Sequence, residues 1–437
     1  MTVAPGIVLA APASGSGKTL ITLGLLAALR ARGLRVASAK VGPDYIDPAF
    51  HAAAAGHEGI NLDSWAMRPA TFHALAAGAA AAADLVVCEG VMGMLDGADV
   101  ADGRDGSTAE VAALTGWPVV LVVDCRGMAG SAAAIVAGFA AARPDAPVAG
   151  AIFNRVGGDK HRRLIAASLA RLCPGVAALG FLPPLPELAL PSRHLGLVQA
   201  AEHPDLAAFV AAAAAAIDRH VDLDAFAALA RPGIPAAEAA SPLPPLGQRI
   251  AVARDEAFAF RYRATIDGWR HRGAEILPFS PLADQAPAAD CDAIYLPGGY
   301  PELHAGRLAA NSGFLDGLRR ATAATIFGEC GGYMALGRVL VDADGTAHAM
   351  AGLLPVETSF QVRHRQLGYR QAALLADGPL GAAGQRFRGH EFHFATVLAE
   401  AGERLFALAD AAGTALPPAG CRVGAVMGSF LHLIDRG

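Results

Sequence analysis

The sequence predicts an α/β protein of two domains, each built on a mainly parallel sheet with helices on both faces. Apolar strand-like runs alternate with helical stretches through the first half of the chain, which is typical of βαβ units. A proline- and alanine-rich stretch, 231–247, then interrupts this pattern, which restarts beyond it. At 437 residues the chain is also too long for a single core. We therefore predict domains at 1–230 and 248–437, joined by a linker at 231–247.

Composition narrows the class of protein. The chain is 54% hydrophobic and 17% charged, with a formal net charge of −5 and no basic stripe, so we expect no nucleic-acid partner. The apolar run 206–217 is too short to span a bilayer, and the N-terminus lacks signal-peptide features. The six cysteines are scattered without a C-x-x-C pair, which favours a reducing cytoplasm. We expect a cytoplasmic protein without a membrane partner, and a homodimer is left open.

Periodicity places the elements of both halves. In the first half, strands are predicted at 7–10, 34–39, 85–88, 119–124 and 148–153, and helices at 20–31, 70–83, 131–142 and 160–172. In the second half, strands are predicted at 250–253, 276–279, 293–296 and 325–327, and a helix at 260–272. Because ligands of such sheets bind beyond the carboxyl ends of strands, polar residues that follow strands are the candidates for a site.

The stretch 11–19, APASGSGKT, joins the first strand to the first helix. Glycine-rich loops at this position bind phosphate through backbone N–H groups and the helix N-terminus. Lys18 would reach the outer phosphates, and the Thr19 hydroxyl would ligate magnesium. The strict motif requires glycine where this chain has Pro12, yet we predict phosphate binding rather than a plain turn. The loop that would hold the phosphates consists of Ser14, Gly15, Ser16 and Gly17.

Three polar clusters follow later strands of the first half. Asp44 and Asp47 lie in KVGPDYIDP, Glu89 ends the third predicted strand, and Asn154 follows the fifth. Glu89 could hold magnesium as a Walker B acid does, and the Asn154 amide could contact a purine edge. The structural alternatives are turn formation for Asp44 and Asp47, a solvated strand end for Glu89 and a helix cap for Asn154. All three clusters are expected at the rim that carries the phosphate loop, which favours function.

A basic pair, Arg193 and His194, lies in LPSRHLGLV at 190–198. Together with Lys40 and Arg155 it could bind a polyanionic substrate. A charged surface loop is the alternative, and the sequence leaves both open.

In the second half, IFGECGGYMALG at 326–337 predicts a strand–turn–helix elbow with Cys330 at its apex. We expect a helix N-terminus to favour the thiolate there, and His432 in GSFLHL could serve as the base. The N–H groups of Gly298 and Gly299 in LPGGYPE, and of Gly331, could bind an oxyanion. The alternative for Cys330 is a small buried hydrophobe, which its glycine neighbours make less favourable.

These segments together resemble the cobyrinic acid (hydrogenobyrinic acid) a,c-diamide synthase family along essentially the whole chain. The phosphate loop, GPDYIDP, EGVMG and RHLGLV are similar to its P-loop amidoligase domain, which is related to dethiobiotin synthetase. The segments LPGGYPE, GECGGYM, GHEFHF and GSFLHL are similar to its class I glutamine amidotransferase domain, which has a flavodoxin-like fold.

The resemblance implies an ADP-forming, glutamine-hydrolysing carbon–nitrogen ligase of cobalamin biosynthesis. Its cofactors would be ATP and Mg²⁺, and its substrates glutamine and a tetrapyrrole polycarboxylate. The a and c acetates of cobyrinate or hydrogenobyrinate would be amidated through acyl phosphates, with ammonia from glutamine. By this resemblance Cys330 would be the nucleophile that attacks glutamine, and His432 its base. Thr19, Asp47 and Glu89 would ligate magnesium, Asp44 would act at the amidation site, and Asn154 would contact adenine. The substrate contacts would be Lys40, Tyr45, Arg193 and His194.

One position departs from the family pattern, and two other classes of protein share some of these motifs. Class I amidotransferases commonly have glutamate two residues after the histidine, where this chain has Ile434, so the pair could act without an orienting acid or with Glu391. A related amidase, cobyric acid synthase or nickel-sirohydrochlorin diamide synthase, is the nearer rival. A MinD-type partitioning ATPase is disfavoured, because Ala13 stands where that group has an extra lysine.

Overall fold

This computed structural model describes residues 4–81, 83–100, 104–190, 192–193, 196–235, 241–362 and 364–437, with the backbone alone at 192–193 and 196–197. The chain divides into two compact units. Unit 1 comprises Met1–Trp65 and Pro69–Ala239, and unit 2 comprises Ala66–Arg68 and Ala240–Gly437.

Unit 1 alternates strands and helices along most of its length. Its strands are β1 (Pro5–Ala10), β2 (Val36–Val41), β3 (Ile60–Leu62), β4 (Leu85–Glu89), β5 (Val119–Asp124), β6 (Val148–Asn154), β7 (Ala177–Phe181), β8 (Ser192–Arg193), β9 (Gly196–Leu197) and β10 (Arg231–Pro232). Its α-helices are α1 (Lys18–Ala31), α2 (Asp47–Ala55), α3 (Pro69–Ala81), α4 (Thr108–Thr115), α5 (Ser131–Ala142), α6 (Asp159–Leu172), α7 (Leu206–His220) and α8 (Leu223–Leu229).

The main sheet of unit 1 is parallel, with strand order β3-β2-β4-β1-β5-β6-β7. Ile7, Val8 and Leu9 of the central strand β1 are fully buried, because both faces of such a sheet are covered. The stretch predicted as a linker begins with a short strand, since β10 pairs antiparallel with β1. The domain boundaries themselves stay a prediction.

Unit 2 begins as a second alternating α/β pattern and continues as a series of strands. Its strands are β11 (Arg249–Ala253), β12 (Glu275–Phe279), β13 (Ala293–Leu296), β14 (Thr325–Glu329), β15 (Val339–Val341), β16 (Ala347–Ala349), β17 (Val356–Ser359), β18 (Gln366–Leu374), β19 (Arg386–His393), β20 (Thr396–Glu400), β21 (Glu403–Ala409), β22 (Ala415–Val423), β23 (Val426–Ser429) and β24 (His432–Arg436). Its α-helices are α9 (Arg263–His271), α10 (Ala305–Ala310), α11 (Ser312–Arg320) and α12 (Gly331–Leu336).

The large sheet of unit 2 has ten strands in the order β12-β11-β13-β14-β23-β22-β21-β18-β19-β24. The pairs from β12 to β23 are parallel, and those from β23 to β24 are antiparallel. The parallel part agrees with the predicted fold class. The antiparallel part was largely missed, because the prediction relied on alternating strands and helices. A smaller sheet has the order β16-β15-β17-β20.

Side chains of β11 alternate between two apolar cores. Ile250 and Val252 pack into one core with Trp269 of α9, whereas Ala251 and Ala253 pack into the other core with Leu318 of α11. This alternation is the period of two that a strand imposes, so helices cover both faces of the parallel part.

The predicted element bounds shift by a few residues. The helix expected at 260–272 spans Arg263–His271, and the strand expected at 34–39 spans Val36–Val41. Within the described residues, none of the helices combines the length and the apolar character that a membrane crossing requires.

We predict that Gly24→Ala destabilises unit 1. Helices α1 and α7 approach closely at Gly24, where an added Cβ would lie 2.3 Å from Cγ1 of Ile217 and 2.7 Å from the carbonyl oxygen of Ala213. We expect overpacking to cost about 1–3 kcal/mol of unfolding free energy, which exceeds the helix-propensity gain of about 1 kcal/mol. Gly138→Ala in α5 is the matched control, because an added Cβ there meets nothing within 4 Å. Urea unfolding should show the control equal to or more stable than wild type, and equal destabilisation by both variants would contradict the prediction.

Candidate functional site

The phosphate loop of unit 1 lies between β1 and α1. Gly15 and Gly17 have φ of 77° and 98°, a left-handed backbone that favours glycine. An added Cβ at Gly17 would lie 2.3 Å from Nδ2 of Asn154, and this amide donates to the Ser16 carbonyl oxygen at 2.9 Å. Asn154 therefore supports the loop, and its adenine contact stays a prediction.

Lys18 and Thr19 begin α1 and reach toward the end of β4. The Thr19 hydroxyl donates to Oε1 of Glu89 at 2.7 Å, and Lys18 Nζ donates to the Met92 carbonyl oxygen at 2.6 Å. Burial lowers the pKa of Lys18, although Glu89 opposes this effect. The structure thus brings together the lysine, the hydroxyl and the acid that the sequence singled out.

Lys40 at the end of β2 faces both acids of the next loop. Its Nζ lies 3.5 Å from Oδ2 of Asp44 and 3.7 Å from Oδ2 of Asp47. Burial works to lower the pKa of Lys40, but Asp44, Asp47 and Glu89 outweigh it and raise the pKa above its usual value. Asp47 has a raised pKa, because it is buried near Asp44 and Glu89.

Asp44 also has a local structural role. Its Oδ1 accepts from the backbone N–H groups of Ile46 and Asp47 at 2.9 and 3.0 Å, next to the start of α2. The turn that the plain reading predicted is therefore present, while the other carboxylate oxygen faces Lys40. Both readings of Asp44 are compatible with the structure.

His51 is a residue of this site that the sequence analysis missed. Its Nε2 lies 2.6 Å from Oε2 of Glu89, and both side chains are buried. Although burial opposes it, the hydrogen bond from His51, with Lys40 and Thr19, lowers the pKa of Glu89 to about 2. His51 follows Asp47 by one helical turn on α2, a spacing that could have drawn attention to it.

Arg155 and Asp124 form an ion pair beside the phosphate loop. Arg155 donates to Oδ2 of Asp124 at 2.7 Å and to the Gly15 carbonyl oxygen at 3.1 Å. A cavity of about 640 Å³ opens here between loop residues 12–16 and residues at the end of β5 and after it. This cavity adjoins the predicted phosphate site within unit 1.

Of the three remaining predicted substrate contacts, the structure describes the side chain of Tyr45. Tyr45 is half-buried in the loop after β2. Arg193 belongs to β8, but its side chain is not described, and His194 lies outside the described residues. The substrate roles of these residues stay predictions.

The residues near Thr19 fit a magnesium ion that is shared with a nucleotide. In the part of the chain that the structure describes, no group of three or more His, Cys, Asp or Glu side chains could hold a metal by itself. Magnesium bound to phosphates needs only one or two carboxylates, because phosphate oxygens and waters complete its shell. The Thr19 hydroxyl and the carboxylates of Glu89 and Asp47 could supply such partial ligation, and their magnesium roles stay predictions.

Cys330 forms the predicted elbow of unit 2. It has φ of 47° and ψ of −103° between β14 and α12, an unusual backbone for a residue with a side chain. Gly332 lets the start of α12 approach the end of β13 closely, because an added Cβ there would lie 1.9 Å from the Leu296 carbonyl oxygen. Such strain at the apex is what the elbow motif predicts.

Cys330 and His432 converge at Gly298. An added Cβ at Gly298 would lie 2.4 Å from Cε1 and 3.2 Å from Nε2 of His432, and 3.3 Å from Cβ of Cys330. An added Cβ at Gly331 would lie 3.0 Å from the backbone nitrogen of Gly299. The nucleophile, base and oxyanion residues that the sequence predicted therefore lie together.

The resting charge state of the pair differs from the expectation. Burial raises the pKa of Cys330, and the Glu302 carboxylate adds to this effect. Burial also lowers the pKa of His432 well below its usual value. The expectation that the helix N-terminus favours the thiolate was wrong, because burial and the nearby Glu302 carboxylate raise the pKa of Cys330. The pair is a neutral thiol beside a neutral imidazole.

Two residues of the GHEFHF segment bear on the orientation of His432. His390 stacks on His432 with ring centroids 4.9 Å apart and planes 9° apart, and its Nε2 lies 3.0 Å from the Tyr262 hydroxyl. Glu391, the alternative orienting acid, instead pairs with Nε of Arg370 at 2.7 Å. Ile434 is buried in the same strand as His432. The histidine that stacks on His432 was not singled out from the sequence.

Comparison with known proteins identifies both units. Residues 7–198 match the CobQ/CobB/MinD/ParA nucleotide binding domain, and residues 249–436 match the CobB/CobQ-like glutamine amidotransferase domain. The hydrogenobyrinate a,c-diamide synthase of Rhodobacter capsulatus is 53% identical over 431 residues, which cover 98% of each chain. Those of a Sinorhizobium species and of Brucella suis are each 52% identical, again over 98% of each chain.

The chain belongs to the hydrogenobyrinate a,c-diamide synthase family. This finding confirms the resemblance inferred from the sequence, the two-unit α/β fold and the assignment as a glutamine-dependent amidoligase. The chain combines a nucleotide binding domain with a glutamine amidotransferase domain, as the two matches show.

We predict that Gly298→Ala abolishes the use of glutamine. The added methyl group would overlap the His432 ring and press on Cys330, so we expect glutamine-dependent turnover to fall by about 10²-fold or more. Turnover with ammonium salts should stay within about twofold of wild type, because it bypasses this site. Gly306→Ala is the control, because its added Cβ would approach no atom closer than 3.5 Å. Similar losses with glutamine and with ammonium would contradict the placement of the pair.

We also predict that Cys330 alkylates slowly at neutral pH. Because the pKa of its thiol is raised, the thiolate fraction should grow about tenfold for each pH unit between 7 and 9 without reaching a plateau. Iodoacetamide labelling of Cys330, followed by peptide mass spectrometry, measures this rate in the absence of glutamine. A rate that is already constant at pH 7 would mean that the thiolate is preformed.

Proposed function

We propose that this chain catalyses the ATP- and glutamine-dependent amidation of the a and c acetate side chains of hydrogenobyrinate, or of its cobalt-containing counterpart cobyrinate, in cobalamin biosynthesis. The observation that carries the proposal is the convergence of Cys330 and His432 at Gly298 in a chain whose other unit has a phosphate loop. The names and full-length identity of the relatives support the choice of substrate.

In unit 1, the chain's own residues bind and orient the nucleotide. Backbone N–H groups of residues 14–17 would hold phosphate oxygens, and Lys18 would leave the Met92 carbonyl to contact the outer phosphates. Thr19, Asp47 and Glu89 would hold Mg²⁺, which when bound neutralises phosphate charge. The short Thr19–Glu89 bond and the buried His51–Glu89 contact support this assignment.

Phosphorylation explains why ATP is required. A carboxylate resists attack because it is anionic and lacks a leaving group. Transfer of the γ-phosphoryl group to its oxygen gives an acyl phosphate, from which ammonia displaces inorganic phosphate. Asp44 would act at the amidation site, where ammonia attacks the acyl phosphate. Lys40, held between Asp44 and Asp47, would bind the carboxylates of the substrate. Tyr45, Arg193 and His194 are proposed as further substrate contacts.

In unit 2, the neutral pair would generate ammonia. Nε2 of His432 would take the thiol proton as Sγ of Cys330 attacks the glutamine carboxamide carbon. Backbone N–H groups at Gly298, Gly299 and Gly331 would stabilise the resulting oxyanion. His432 would return the proton to the departing nitrogen, which releases ammonia and leaves a thioester for water to hydrolyse. The lowered pKa of His432 supports this role, because the ring is unprotonated and able to accept at neutral pH.

The related amidases are the remaining alternatives. The amidotransferase match names both CobB-like and CobQ-like proteins, so a cobyric acid synthase activity is the second candidate. The relatives that share 52–53% identity along the whole chain carry the diamide synthase name, which favours the first.

Six free cysteines support a reducing cytoplasmic setting.

The test is product analysis with paired variants. Mass spectrometry of hydrogenobyrinate incubated with ATP, Mg²⁺ and glutamine should show two carboxyl-to-amide conversions. Cys330→Ala should reduce the glutamine reaction by at least about 10³-fold but keep the ammonium reaction. Lys18→Ala should lose both reactions, since neither nitrogen source can replace phosphoryl transfer.

Matched controls are available for each variant. Cys291→Ala changes a half-buried cysteine outside the site, and Lys160→Ala changes an exposed lysine on α6, so both should keep wild-type turnover. Loss of the ammonium reaction in Cys330→Ala would contradict the division of labour. Full activity of Lys18→Ala would contradict activation by ATP.

A further inference from the structure

The strands that carry Cys330 and His432 are not paired neighbours in the large sheet of unit 2. Cys330 follows β14 directly and His432 begins β24, yet β23, β22, β21, β18 and β19 lie between these strands in the sheet order. Among the described strands, β24 pairs with β19 alone. Backbone pairing therefore does not join β14 to β24 directly. The nearest backbone connection runs through β23, which pairs with β14 and ends at Ser429, three residues before His432.

Glu329 links the two strands directly. It is the last residue of β14 and precedes Cys330, and its Oε1 accepts from the backbone N–H of Leu433, the residue after His432, at 3.0 Å. Its Oε2 accepts from the Tyr295 hydroxyl on β13 at 2.6 Å. Only 2% of Glu329 is exposed, so solvent does not compete for these bonds. One side chain thus adjoins the nucleophile and bonds to the backbone beside the base.

Other contacts of the pair serve different purposes. The Cys330 N–H donates to the Ser429 carbonyl oxygen at 2.8 Å, which anchors the elbow to the end of β23. His390 stacks on His432 and so fixes the plane of its ring. Neither contact joins β14 to β24, because Ser429 belongs to β23 and His390 to β19.

We propose that Glu329 is a positioning residue for glutamine hydrolysis, which holds His432 beside Cys330 by accepting the Leu433 N–H. It would take over the orienting task of the acid that position 434 lacks, but through the backbone of β24 instead of the imidazole nitrogen. The inference rests on the proposed glutaminase role of the pair. Displacements of about 1 Å between reacting groups cost about 10²-fold in rate, so a single fixed bond at this place has a large effect.

The hydrogen-bond acceptor is the property of Glu329 that matters. Glu329→Gln keeps a carbonyl oxygen for the Leu433 N–H and an amide that can donate to the Tyr295 oxygen. Glu329→Met has similar volume but no oxygen, so it leaves the Leu433 N–H buried without this acceptor. Tyr295→Phe is the control for the second bond, because it leaves the Glu329–Leu433 bond in place.

The experiment measures glutaminase kcat and KM together with ammonium-dependent amidation in the full-length chain. We expect Glu329→Met to lower glutaminase kcat by about 10- to 100-fold, with the KM for glutamine within about threefold of wild type. Glu329→Gln and Tyr295→Phe should retain kcat within about threefold. Ammonium-dependent amidation should be unchanged in all three variants, and Glu329→Ala is a second variant without an acceptor.

Four results would overturn the proposal. Wild-type kcat in Glu329→Met would mean that the bond does not position the base. Equal kcat losses in Glu329→Gln and Glu329→Met would assign a chemical role to the carboxyl group itself. Loss of the ammonium reaction in both Glu329→Met and Glu329→Ala would make Glu329 a residue of the fold alone. Glutaminase activity at the wild-type level in the Cys330→Ala variant would instead refute the proposed function, and this inference with it.

Discussion

The absence of a side chain at Gly298 is the constraint on which the amidotransferase unit depends. A single methyl group there would overlap the His432 ring, so His432 and Cys330 can lie together only beside a residue without a side chain. The left-handed backbone of Cys330 brings the thiol to the same point from the end of β14. Burial then leaves a neutral thiol beside a neutral imidazole, as their shifted pKa values indicate.

The nucleotide-binding unit has the opposite electrostatic character. Lys18, Lys40 and three carboxylates are buried or half-buried within a small volume, where each changes the pKa of its neighbours. Although burial opposes it, contacts with His51, Lys40 and Thr19 lower the pKa of Glu89, whereas burial near Asp44 and Glu89 raises the pKa of Asp47. A magnesium nucleotide would supply the missing positive charge at Asp47. The two units therefore suit different steps, phosphoryl transfer in one and release of a neutral nucleophile in the other.

The parts of both sites that were predicted are formed by residues that lie close together in the sequence. A glycine-rich stretch between a strand and a helix predicts the phosphate loop, and a cysteine between glycines predicts the elbow. The contacts that were missed join distant positions: 38 residues separate His51 from Glu89, 104 separate Glu329 from Leu433, and 128 separate Tyr262 from His390. The thiolate expectation failed for a related reason, because burial and the nearby Glu302 are properties of the folded chain.

The sequence by itself determined the α/β class and the family, and it singled out the glycine-rich loop before α1 and the residues Cys330 and His432 that the structure brings together, because glycine spacing and strand–helix order are local properties. Only the tertiary structure decided which side chains support them. It placed His51 on Glu89, turned Glu391 toward Arg370, and brought the Glu329 carboxylate to the backbone beside His432. The physical reason is that a buried hydrogen bond depends on which strands the fold brings together, and that arrangement leaves no short motif in the chain.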